Sequence, residues 1–177
     1  MSQEFTSNTF TTSETSSWSI STVYTCPSQS TLIDFYGRSY VGILGPKQLQ
    51  QRTYSGLPPH WSLSVRFDMI IYATYDAPDY TTVNIDSVGY GTYTKAWDAG
   101  ILKMCGDTYS DEFFLYHKNI THTSSSVTIM LNVFTDELNE GTLFKNFFLY
   151  VDTCDPTCLT CSGSAYVMIR FLLLFSF

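Results

Sequence analysis

Five cysteines, three histidines and scattered aspartate pairs are the residues of this 177-residue chain that could do chemistry. Cys154, Cys158 and Cys161 form a C-x3-C-x2-C cluster, a thiol density found in small disulfide-stapled modules of oxidising compartments. Three cysteines cannot pair among themselves, so they read as unpaired members of an unfinished repeat. The rival chemistry is zinc, for which Cys158 and Cys161 supply half a tetrahedral site and Cys154 a third thiolate. No fourth ligand follows, and no metal is expected there. Cys26 and Cys105 lie far apart and are expected to bond across the domain, with two buried free thiols as the alternative.

Asp76, Asp79 and Asp86 surround an expected loop and offer hard oxygen ligands, which makes calcium the one candidate cofactor. Their spacing matches no known calcium loop, and solvated surface charge is the competing account. Trp97, in the polar context Thr-Lys-Ala-Trp-Asp-Ala-Gly, could stack on the apolar face of a sugar while nearby acids bond its hydroxyls. Trp61 belongs to an alternating row and reads as core. Asn119-Ile-Thr121 is an N-glycosylation sequon that an outward strand face would present. His60 follows two prolines, which points to strand entry rather than general-base work.

Signatures of catalysis are absent. There is no G-x-S-x-G, no H-E-x-x-H and no phosphate-binding Gly-Lys-Ser/Thr loop, and Gly89-Tyr-Gly-Thr-Tyr lacks the third glycine of a dinucleotide fingerprint. We therefore expect no enzyme; a divergent hydrolase would need His117 or His122 joined to an acid in a pocket. Nine Lys plus Arg against sixteen Asp plus Glu, net charge -7, leave no basic surface for a phosphate backbone, which excludes nucleic acid as a partner class.

The elements that must position these residues are strands. Thirteen Tyr, thirteen Phe and three Trp make 16% of the chain, and aromatic and β-branched residues fit a pleated, half-buried surface. Trp61, Leu63, Val65, Phe67 and Met69 alternate without a break and share one face; Ile70-Ile71-Tyr72 continues them with burial on both faces or a bulge. Val83 and Ile85, then Val127, Ile129, Leu131 and Val133, then Phe147, Leu149 and Val151 make further period-two rows. Gly89-Tyr90-Gly91 marks a turn or bulge, and Asp136 to Gly141 a polar connection. Only Pro46 to Arg52 suggests a helical turn. Strands at this spacing without helices predict an all-β antiparallel sandwich of the jelly-roll, galactose-binding-like type.

Three segments carry a family resemblance: Leu57-Pro-Pro-His-Trp-Ser-Leu-Ser-Val-Arg-Phe-Asp68, His122-Thr-Ser-Ser-Ser-Val-Thr-Ile129, and Phe148-Leu-Tyr-Val-Asp-Thr-Cys-Asp-Pro-Thr-Cys-Leu-Thr-Cys-Ser-Gly163. Together they resemble the large surface proteins of ciliated protists, in which a β-sandwich precedes furin-like, growth-factor-receptor-type cysteine-rich repeats. The last segment is similar to the join between sandwich and first repeat. The family's acidic, Trp-containing stretch after the LPPH strand is replaced here by Met69 to Asp79. The resemblance implies architecture and a surface location, and supplies no catalytic residues.

The expected organisation is a flexible Ser/Thr-rich segment over 1–17, a sandwich over 18–153, the start of a truncated repeat over 154–163, and an apolar tail over 164–177 that does not follow the preceding pattern. No signal peptide is visible in Met1 to Thr25. The function expected is a non-enzymatic extracellular or cell-surface recognition or adhesion module, with a lectin-like or calcium-dependent module as the alternative. Its partner would be an unknown protein or glycan, and membrane association would come through missing parts of a longer protein.

Overall fold

The computed structural model describes residues 1–4, 6, 15–19, 22–26, 39–95, 105 and 111–153. These carry ten strands: β1 (Ser2–Glu4), β2 (Val23–Thr25), β3 (Ser39–Leu44), β4 (Gln48–Ser55), β5 (His60–Tyr72), β6 (Tyr80–Ile85), β7 (Val88–Tyr93), β8 (Glu112–Thr121), β9 (Ser126–Phe134) and β10 (Gly141–Thr153). They form two antiparallel sheets of a jelly-roll β-sandwich. One runs β2-β3-β10-β5-β8 with β1 also on β10, and the other runs β4-β9-β6-β7. No helix among the described residues is long and apolar enough to cross a membrane.

The period-two rows become the two inner faces. Leu63, Val65, Phe67 and Met69 of β5 meet Val127, Ile129, Leu131 and Val133 of β9 and Val83 and Ile85 of β6, all essentially without solvent exposure. Alternation is the cause, since a strand sends successive side chains to opposite faces. Phe67 anchors an aromatic cluster, stacked on Tyr116 at 4.6 Å and on Phe147 at 6.0 Å. Trp18 closes it, 5.1 Å from Phe144.

Several expectations are corrected. Pro46 to Arg52 is no helical turn: Pro46 and Lys47 make the β3–β4 connection and Gln48 onward is strand, paired with β9 from Gln48↔Val133. Trp61 shares the parity of the core row but is 38% exposed, because it lies one residue into β5, where the inner layer ends. The β6–β7 turn is Asp86-Ser87, both at positive φ, as a two-residue hairpin loop requires. Gly89 and Gly91 lie beyond it in β7 at a register shift, so of the two readings of Gly89-Tyr90-Gly91 the bulge is the one observed.

Ser2–Glu4, inside the segment read as flexible, pairs with β10 through Gln3↔Phe148. Glu4 explains why: its carboxylate accepts from Trp18 Nε1 at 2.8 Å and from Tyr54 Oη and Ser2 Oγ, each at 3.0 Å, and meets Arg52 at 2.6 Å, so a mostly buried charge finds four donors. Burial, with Glu4 second, pushes the Tyr54 phenol well above its ordinary range.

Strand β10 carries the feature that most shapes the surface. Lys145 pairs with Asp68 but Phe148 pairs with Arg66, so one extra residue is accommodated between them, and Asn146 there has φ 51. Upstream, Phe144 points inward and Leu143 outward. Downstream, Phe147 and Leu149 point inward, and Phe148 and Tyr150 are left outward. The bulge is why Phe144 and Phe147, three apart, share the core.

Candidate functional site

The outward face of the six-stranded sheet is divided in two. Ile70, Tyr72 and Leu143 are covered by a second small core containing Tyr40, Ala73, Cys26 and Cys105. Cys26 and Cys105 are disulfide-bonded, as expected, with Cα atoms 4.4 Å apart. Asp111 fastens this cap, its carboxylate accepting from the backbone N–H of Ala73 at 3.2 Å and of Cys105 at 2.9 Å, while Lys95 Nζ donates to the Ala73 carbonyl at 2.5 Å. Gly42 lets β2 lie close, since a Cβ there would stand 3.1 Å from that of Tyr24.

The other half is open among the described residues, and register places its residues. One row runs Gln3, Phe148, Arg66, His117 across β1, β10, β5 and β8; the next runs Tyr150, Ser64, Asn119. The rings of Phe148 and Tyr150 lie parallel, 6° apart in plane and 5.9 Å between centroids, with Tyr150 37% exposed. Ser64 Oγ and His117 Nε2 are 3.1 Å apart, and Asn146 Nδ2 donates to Asp68 Oδ2 at 2.5 Å. A flat aromatic surface thus adjoins a guanidinium, an imidazole, an amide and hydroxyls. Asn119 is exposed on this same face, where the sequon was expected to be presented.

At one end of the sandwich two crossovers run side by side. The β5–β6 connection leaves one sheet at Tyr72 and enters the other at Tyr80; the β9–β10 connection returns from Phe134 to Gly141, and the register pairs Tyr72 with Gly141 and Tyr80 with Phe134. Ligand atoms of Asp76, Asp79 and Asp136 lie within 4.8 Å of one another there. Asp79 and Glu140 are buried, and burial pushes both carboxyls above their usual range, helped by acidic neighbours. Asp86, expected in this group, is at the opposite end. It occupies the β6–β7 turn, where Oδ1 accepts from Thr128 N–H at 2.8 Å.

That opposite end holds a constellation that residue types did not reveal. His60 Nδ1 lies 2.7 Å from the Pro58 carbonyl, His60 Nε2 lies 2.7 Å from His122 Nδ1, and His122 Nε2 lies 2.9 Å from Asp86 Oδ2. His60 and His122 are buried, with stacked rings. An acid does reach His122, which is the juxtaposition a hydrolase would require, yet all four ring nitrogens are engaged. None is left to take a proton from a substrate, so the chain joins the two sheets rather than serving as a general base. The signal for it lay in register: β5 and β8 pair Ser62 with Thr121, which brings the residues just beyond, His60 and His122, together.

A groove of about 330 Å³ opens between β1, β4 and β10, lined among others by Met1, Arg52, Leu57 and Val151, but the Arg52 guanidinium is held by Glu4. Trp97, Cys154, Cys158 and Cys161 lie outside the described residues.

No protein-family model matches the chain, and no curated protein matches it. Among solved structures it is similar to a family 35 carbohydrate binding module from an environmental isolate, at 7% identity and TM-score 0.45 over 76% of this chain and 88% of that one. It is similar to the C-terminal CBM6 of LamC from Zobellia galactanivorans, at 7% identity and TM-score 0.41 over 74% and 92%. It also matches 15% of the GH115 4-O-methyl-α-glucuronidase BtGH115A, at 12% identity and TM-score 0.40 over 66% of this chain.

Proposed function

We propose that this chain is a non-catalytic recognition domain that works outside the cell and holds a carbohydrate on the open half of its six-stranded sheet. The observation that carries this reading is the parallel, surface-placed pair Phe148 and Tyr150. A sugar ring offers an apolar face to stack and a rim of hydroxyls, and Arg66, Ser64, His117 and Asn119 stand in the adjoining rows to bond them. Sites of this kind combine apolar area with a few polar groups that fix orientation. The Cys26–Cys105 bond supports an oxidising compartment, and with it the surface or secreted location implied by the family resemblance.

A protein ligand, as in an adhesion module, is favoured by one observation. Strand β8 is an edge strand with Phe113 42% and Leu115 55% exposed, a template on which another chain could add a strand. A glycan array followed by titration of the binding sugars decides between them. On the carbohydrate reading, Tyr150→Ala and Arg66→Ala each weaken binding at least about tenfold while thermal unfolding moves little, because both side chains are exposed. A blank array at high protein concentration overturns it.

A further inference from the structure

We propose that the crossover end of the sandwich is a calcium site, built from Asp76 and Asp79 on the β5–β6 connection and Asp136 and Glu140 on the β9–β10 connection. It is independent of the ligand on the outward face. The three aspartates bring ligand atoms within 4.8 Å of one another, close enough for one ion to touch all three. Proximity among acids is commonplace at a solvated surface, but this cluster is not wholly at the surface: Asp79 is 3% and Glu140 1% exposed.

A second observation points to a cation. Glu140 Oε1 accepts from the Thr74 hydroxyl, but Oε2 is buried and meets no donor among the described residues. The side chain it lies against is the Asp79 carboxyl. Two carboxylates are both acceptors, so they cannot satisfy each other without a proton or a metal ion between them. The charged neighbours that act on the pair are Asp76, Asp136 and Glu137, all negative, and none supplies the missing positive charge. Calcium accepts six to eight oxygen ligands at flexible geometry, whereas magnesium demands a near-ideal octahedron and keeps its water, so carboxylates from two separate connections suit calcium better. The fold gives the ion work to do. The Thr74–Glu140 hydrogen bond already links the two crossovers, and an ion shared between them would fasten both sheets further at that end.

The test uses the full chain with its disulfide oxidised, stripped of divalent ions, at neutral pH. Calorimetric titration with calcium should show one saturable site, and the melting temperature should rise with calcium and less with magnesium. Asp136 is exposed, so Asp136→Asn should fold like the parent and bind calcium at least about tenfold more weakly. Glu140→Gln places an N–H donor against Asp79; it should raise the melting temperature of the calcium-free protein and abolish the increment from calcium. The proposal is overturned by a parent that shows neither calcium heat nor a melting shift at millimolar calcium, in which case a proton shared by Asp79 and Glu140 fills the gap. It is equally overturned by calcium binding that Asp136→Asn leaves intact, which would locate the ion elsewhere.

Discussion

His60 Nε2 and His122 Nδ1 stand 2.7 Å apart in a buried chain whose two ends, the Pro58 carbonyl and the Asp86 carboxylate, are both acceptors. With an acceptor at each end, every ring nitrogen of the two imidazoles is held by a partner inside the chain. His122→Ala leaves His60 Nε2 buried without a partner and should lower unfolding free energy by about 2–4 kcal/mol. Asp86→Asn keeps a side chain suited to the left-handed backbone of the turn and should cost less, about 1–2 kcal/mol. Denaturant unfolding of the two variants checks the order; a larger loss for Asp86→Asn would overturn it.

Asn119 shares a row with Ser64 and Tyr150 on the open face, two strands or about 10 Å away. An N-glycan there should compete with ligand for the same surface. Material made in a glycosylating host should bind sugar more weakly than its Thr121→Ala counterpart, which lacks the sequon but keeps Asn119, and enzymatic removal of the glycan should restore binding. Equal affinity of the two forms would place the ligand elsewhere.

The disulfide closes a sequence separation of 79 residues, and in the chain-entropy picture such a link is worth about 4 kcal/mol. It also fastens the cap over Ile70, Tyr72 and Leu143. Unfolding in the presence of reductant, or of Cys105→Ser, should show a loss of that order together with binding of an apolar dye to the uncovered half of the sheet.

Buried phenols set an alkaline limit. Burial pushes Tyr75 up to about 12 and raises Tyr54 and Tyr116 as well. The folded state holds these protons more tightly than the unfolded one, so the stability they contribute is complete below the ordinary phenol range near 10 and is lost as pH rises toward the folded values. Stability should therefore fall between about pH 10 and 12. Absorbance titration should show exposed tyrosines ionising first and the buried group ionising together with unfolding.

Much of the architecture was readable in advance because burial writes itself into alternation. The rows Leu63 to Met69, Val127 to Val133 and Phe147 to Val151 carried β5, β9 and the second half of β10. The same rule misplaced Trp61, since parity does not say where along a strand the inner layer stops. Of the candidate metal ligands, Asp76 and Asp79 are local in sequence and were seen together, whereas Asp136 joins them, and Glu140 reaches Asp79, only through the pairing of β5 with β10 and β6 with β9. Phe148 and Tyr150 were hidden for a similar reason, because one residue of slippage decides which face they serve.

That slippage has a genetic side. The bulge at Asn146 makes β10 two half-strands of opposite number parity on one backbone, and absorbs a single codon in doing so. Substitutions at Phe148 or Tyr150 alter only what the surface offers, and a lineage can explore them freely. An in-frame loss of the Asn146 codon would leave Phe147 two residues after Phe144, a spacing that regular alternation satisfies, so Phe147 and Leu149 would stay in the core and Phe148 and Tyr150 outside. The open face can therefore diversify by point mutation, and the bulge lets this strand lose one residue without turning its faces over.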